Sequence, residues 1–192
     1  MINTLSSKIT GYIEKNSNIH DTDNLAKINY ALQAVLGETF KIVILISLFL
    51  IIGRINYLLF SMAILFTTRI FLGGYHCNTT MSCLFASIIM FLITSLVGPL
   101  LPKLNILIYY LAAILSVLIV IFNAPFPNKY RPIKNQKRKQ TLKYLSTFFT
   151  ISWSIILLFY VKDTAYLNCG FLTIILEIIQ VIPTRKENNY EK

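Results

Sequence analysis

The chain has 192 residues, of which 55% are hydrophobic and only 14% charged. Soluble domains carry about 25% charged residues, so this composition excludes an ordinary soluble domain and points to a membrane protein. The 18 Lys and Arg outweigh 8 Asp and Glu; beside apolar runs, positive cytosolic loops and anionic membrane lipid explain that excess better than nucleic acid does.

Residues 2–16 place Ile2, Leu5, Ile9, Tyr12 and Ile13 at helical spacing, and residues 25–36 repeat the pattern with Leu25, Ile28, Leu32, Val35 and Leu36. Between them, Ser17 to Asn24 is rich in capping residues, and Asp23 or Asn24 is expected to start the second helix. The two amphipathic helices either lie at the membrane interface and offer a partner surface or cover the cytosolic face of the bundle. No apolar core of a leader follows Met1, so no cleavable signal peptide is expected and targeting falls to the first membrane segment.

Apolar runs follow at 42–52, 55–66, 84–101, 104–124, 145–161 and 165–182. The last four approach the roughly 20 residues of a spanning helix. The first two are short and flank Arg54: they are two short spans joined by a turn at Gly53-Arg54, or one long span with Arg54 inside. Charge favours six spans with a cytosolic N-terminus, because only Arg54, Lys103 and Lys162 of the 18 basic residues then lie outside. Five spans would move Lys8, Lys15, Lys27 and Lys41 outside and leave Arg54 in the bilayer, at a cost of about 2.5–3.5 kcal/mol or more. The expected fold is an all-α integral membrane protein with about six hydrophobic spans, preceded by cytosolic amphipathic helices. Its parts are 1–40 (amphipathic helices), 41–183 (membrane domain, with a catalytic loop at 69–83 and a basic cytosolic loop at 125–143) and 184–192 (cytosolic tail).

The chemistry concentrates in a polar island, Arg69-Ile-Phe-Leu-Gly-Gly-Tyr-His-Cys-Asn-Thr-Thr-Met-Ser-Cys83, which holds one of two histidines and two of three cysteines. A thiol attacks as its thiolate, and a neighbouring imidazole accepts the proton. His76 and Cys83 are the candidate pair. On one straight helix they would stand roughly 10 Å apart along the axis, beyond the hydrogen-bond reach of about 3 Å. The segment must therefore bend, and Gly73-Gly74 with Asn78, Thr79 and Thr80 supplies a break and a helix start. If Thr80 caps the third span, Cys83 falls in its first turn, facing the positive end of the helix dipole. Cys77 is a competing nucleophile, though a loop rarely aligns adjacent residues as base and nucleophile. Arg69 marks the lipid boundary or binds a carboxylate. Glu177, inside the sixth run, pairs with Arg54 or Arg69, contacts substrate, or lies shallow enough to be solvated. Cys169 reads as a small core residue. Two histidines are too few for most all-protein zinc sites and the cysteines form no disulfide framework, so neither metal nor cofactor is expected.

Arg69, then Gly73-Gly74-Tyr75-His76, then Cys83 seven residues beyond the histidine, resembles the signature of the accessory gene regulator B (AgrB) family. Ala124-Pro125 followed by Arg131-Pro132-Ile133 resembles a second family segment, Leu36-Gly37-Glu38 loosely resembles a third, and the resemblance covers nearly the whole chain. It implies a membrane cysteine endopeptidase that removes the C-terminal tail of an AgrD-like quorum-sensing propeptide at the cytosolic face. Cys83 would be the nucleophile and His76 the general base, with the peptide held as a thioester and released as a thiolactone or lactone ring. Arg69, Gly74 and Glu177 would bind substrate or support the transition state, and the basic segment 129–143 would attract an acidic propeptide tail or only set topology. A homodimer is compatible with the family, and no residue here demands one. The rival classes are a small membrane transporter, which would need more polar residues in its spans, and a non-catalytic scaffold docking a partner through its amphipathic helices.

Overall fold

The computed structural model describes residues 2–17, 21–73, 80–126 and 135–189, with backbone alone at 80–81 and 181–189. The described residues are helical almost throughout and form no strand. The helices are α1 (Ile2–Asn16), α2 (Thr22–Ile52), α3 (Ile55–Leu72), α4 (Thr80–Leu92), α5 (Ile106–Asn123), α6 (Gln136–Ile155) and α7 (Thr164–Asn189). Two of them end in widened turns. A π-turn at Ile93–Val97 continues α4 and passes into a 3-10 turn at Gly98–Leu100, and a second π-turn at Ile156–Tyr160 continues α6.

Five stretches are long and apolar enough to cross a membrane: Thr22–Ile52, Ile55–Leu72, Ser82–Leu100, Ile106–Asn123 and Gln136–Tyr160. Thr164–Gln180 is a shorter apolar helix. Together they account for the six apolar runs. Large apolar side chains stand exposed along them, among them Ile51, Ile70, Phe122, Phe159 and Tyr160. Water would not tolerate so much apolar surface, whereas lipid is its natural solvent. The fold is that of an all-α, multi-pass membrane protein.

Chain contacts divide the protein at Ile52–Gly53. In the first unit α1 packs along α2. The second helix starts earlier than Asp23 or Asn24: Asp21 is its cap, with Oδ1 accepting from the Asp23 N–H at 3.2 Å. It then runs unbroken from the amphipathic stretch, through Gly37, into the run at 42–52 and ends only at Gly53. Gly53 adopts φ +73, a left-handed conformation that ends the helix. Arg54 follows outside both helices, its guanidinium 5.6 Å from the centre of the Tyr57 ring. No single helix therefore runs through Arg54, and Thr22–Ile52 and Ile55–Leu72 are each long and apolar enough to cross a membrane.

The second unit is built around α3, which packs on α6 and α7, while α5 packs on the same two. Ile64, Leu72, Tyr109, Val120, Leu157 and Phe171 are core residues. Helices in lipid gain little from burying apolar surface, so close packing and interhelical hydrogen bonds hold them. Trp153 Nε1 donates to Thr67 Oγ1 at 2.7 Å, Tyr109 donates to Asn168 Oδ1, and Asn168 Nδ2 donates to the Leu101 carbonyl at 3.0 Å. Gly98 lets the 3-10 turn reach α7: a Cβ there would stand 3.1 Å from Cys169 Cα. The expected loop at 125–143 is shorter than the sequence reading had it. Gln136–Lys143 already belongs to α6, since Asn135 Oδ1 caps it by accepting from the Lys137 N–H at 2.9 Å and Lys, Arg and Gln are good helix formers.

Candidate active site

The site begins where α3 ends. The Gly73 N–H donates to the Arg69 carbonyl at 3.0 Å, closing the last turn. Gly73 then takes φ +82 and pairs with Phe126 in an isolated parallel bridge, the Phe126 N–H donating to the Leu72 carbonyl at 2.9 Å. A Cβ on residue 73 would stand 2.5 Å from the Phe126 carbonyl oxygen. Only glycine fits both the conformation and the contact. Two places singled out in the sequence thus meet, at Gly73 and at Phe126, the residue after Ala124-Pro125. Gly74, His76 and Cys77 lie outside the described residues, as do Lys129, Arg131 and Lys134.

The chain re-enters at Thr80, the first residue of α4, which sets Cys83 in the first turn of that helix, half-buried. Backbone N–H groups in a first turn lack helical acceptors and face an incoming anion. The expected bend between the histidine segment and the cysteine helix falls at 74–79, outside the described residues.

Consecutive residues of α3, Thr68 and Arg69, reach Glu177 and Gln180 of α7. Arg69 Nη1 donates to Gln180 Oε1 at 3.1 Å. One residue earlier on α3, Thr68 Oγ1 donates to Glu177 Oε2 at 2.5 Å. Glu177 is 2% exposed, and its Oε1 has no hydrogen-bond partner among the described residues. The solvated reading of Glu177 is therefore wrong: α3 covers it. Arg54 is not its partner either, because it precedes Thr68 by fourteen residues, about 21 Å along a helix. Gln180 in turn donates through Nε2 to Met90 Sδ at 3.3 Å, reaching α4.

Sequence reasoning missed Thr68 and Gln180. Gln180 follows Glu177 by three residues, hence on the same helical face, and that spacing was available as a signal. It also missed the setting of Cys169. This residue is fully buried, as expected of a core cysteine, but its Sγ lies 3.0 Å from Ser61 Oγ, which accepts from Ser95 Oγ at 3.2 Å.

The profile of accessory gene regulator B matches residues 6–181. The chain belongs to the AgrB family. A curated AgrB-like protein of Clostridium beijerinckii is 42% identical over 182 residues, covering 95% of this chain and 89% of that protein. No solved structure matches. AgrB membership gives the chain a role in the accessory gene regulator system of quorum sensing. The family match takes in both Arg69 and Cys83 and extends just past Gln180.

Proposed function

We propose that this AgrB family member is a membrane cysteine endopeptidase that processes an AgrD-like propeptide at the cytosolic face. The observation that carries the reading is the position of Cys83 in the first turn of α4, seven residues along the chain from His76 of the Gly-Gly-Tyr-His motif. His76 takes the Cys83 proton, and the sulfur attacks a backbone carbonyl near the propeptide's C-terminal end. The C–N bond breaks, and the tail departs as an amine carrying the proton returned by His76. The remaining peptide is a thioester on Cys83. An internal Cys or Ser of the peptide attacks that carbonyl, its proton passes to the Cys83 sulfur, and the ring leaves as a thiolactone or lactone. The thioester keeps the acyl group activated, so closure consumes no ATP. Arg69 steadies negative charge on the substrate or transition state. The basic residues from Lys129 to Lys143 attract the acidic tail.

Cys83→Ser and His76→Ala, each inserted in vesicles with the propeptide, are expected to release no tail. Mass spectrometry of wild type quenched in acid is expected to find the peptide, shortened by its tail, linked to Cys83. Continued tail release by both variants would refute the dyad, and a thioester on Cys77 would reassign the nucleophile.

A further inference from the structure

Gln180 stands at the junction of three helices, and its side-chain amide serves two of them at once. Its oxygen accepts from Arg69 at the end of α3, and its nitrogen donates to Met90 on α4. Met90 follows Cys83 by seven residues, so both lie on one face of α4, about 10 Å apart along the axis. Glu177, one turn earlier on α7, receives Thr68, the neighbour of Arg69. Two consecutive residues of α3 are thus gripped by two residues of α7 on one face, and one of these also touches the cysteine helix.

We infer that Gln180 is a positioning residue for the cysteine chemistry, fixing where the Arg69 guanidinium stands relative to Cys83; the inference rests on the endopeptidase reading above. A glutamine suits this place chemically. It offers an acceptor to the guanidinium and a donor to the thioether without adding charge. A carboxylate keeps the first function and loses the second, while an aliphatic side chain loses both. Glu177 fixes the backbone beneath: with Thr68 tied to α7, the last turn of α3 cannot rotate to carry Arg69 elsewhere. The arginine reaches the substrate, and Gln180 acts only through it.

The test uses the full chain in liposomes with synthetic propeptide, with Cys83→Ala assayed beside the variants. Gln180→Leu is expected to lower kcat for tail release on the order of 10- to 100-fold, the scale of a small misplacement of a catalytic group. KM is expected to stay within about two-fold, because binding is not what is lost. Gln180→Glu is expected to recover most of that loss. In an Arg69→Lys background, Gln180→Leu is expected to add little further loss. If Gln180→Leu does not accumulate, Gln180→Asn, one methylene shorter, is expected to give the same separation of kcat from KM. Wild-type kcat in both Gln180→Leu and Gln180→Asn, or equal loss in Gln180→Leu and Gln180→Glu, overturns the inference while Cys83→Ala stays inactive. Tail release by Cys83→Ala overturns the endopeptidase reading itself.

Discussion

Gly73 closes the last turn of α3, adopts a left-handed φ and leaves no room for a Cβ beside the Phe126 carbonyl. Gly73→Ala therefore meets both strain and overlap, and backbone strain of this kind costs about 1–3 kcal/mol. The expected outcome is loss of propeptide processing with membrane insertion intact, measured by tail release against protein level in the membrane fraction. Glu177 invites a different experiment. A buried carboxylate with one oxygen lacking a hydrogen bond among the described residues weakens a fold more than a well-packed apolar residue would. Glu177→Leu is expected to hold or raise the thermal midpoint in detergent while lowering processing. A fall in stability with activity retained would make the glutamate purely structural. At this scale the sequence exposed Arg69, Cys83 and Glu177 as residues of interest, because each is chemically out of place in an apolar chain. It did not expose their partners. Thr68 and Gln180 are unremarkable polar residues until α3 and α7 are laid together, more than a hundred positions apart in the chain.

The helices themselves were legible because apolar runs of membrane length have little else to become. The same argument separates α2 from α3, since Gly53-Arg54 interrupts the apolar pattern and α2 ends just before it, with Gly53 at a positive φ. The π-turns were not legible: composition carries no signal for one extra residue in a turn. At Ile93–Val97 the widened turn precedes Gly98, and Ser95 from it joins Ser61 and Cys169 in a buried polar knot. Gly98 then packs on the Cys169 backbone, which cannot move aside as a side-chain tip can. Gly98→Val is expected to destabilise the second unit by about 1–3 kcal/mol through overpacking, read as a lower thermal midpoint in detergent. Gly170→Ala offers a contrast, because its Cβ would meet the end of the Leu157 side chain rather than backbone. Its midpoint is expected to fall less.

Across the whole molecule, the distribution of charge predicts which side each connection occupies. Lys103 and Lys162 lie in exposed connections after the 3-10 turn and after the second π-turn, while Lys137 is exposed at the start of α6. With the native cysteines replaced, Lys103→Cys and Lys162→Cys are expected to react with a membrane-impermeant maleimide on intact cells, and Lys137→Cys only after lysis. The reverse pattern would turn the protein over and put the proposed chemistry on the wrong side for a propeptide made in the cytosol.

The bridge between Gly73 and Phe126 has a practical corollary for engineering. Gly73 and Phe126 are tied backbone to backbone, and in sequence the stretch bearing the histidine follows the one and the stretch bearing the lysines follows the other. A chimaera that borrows only one of them from a relative inherits a mismatched mooring, whatever its own residues are suited to. Transplanting specificity between family members therefore requires exchanging both stretches together with the glycine and phenylalanine that join them.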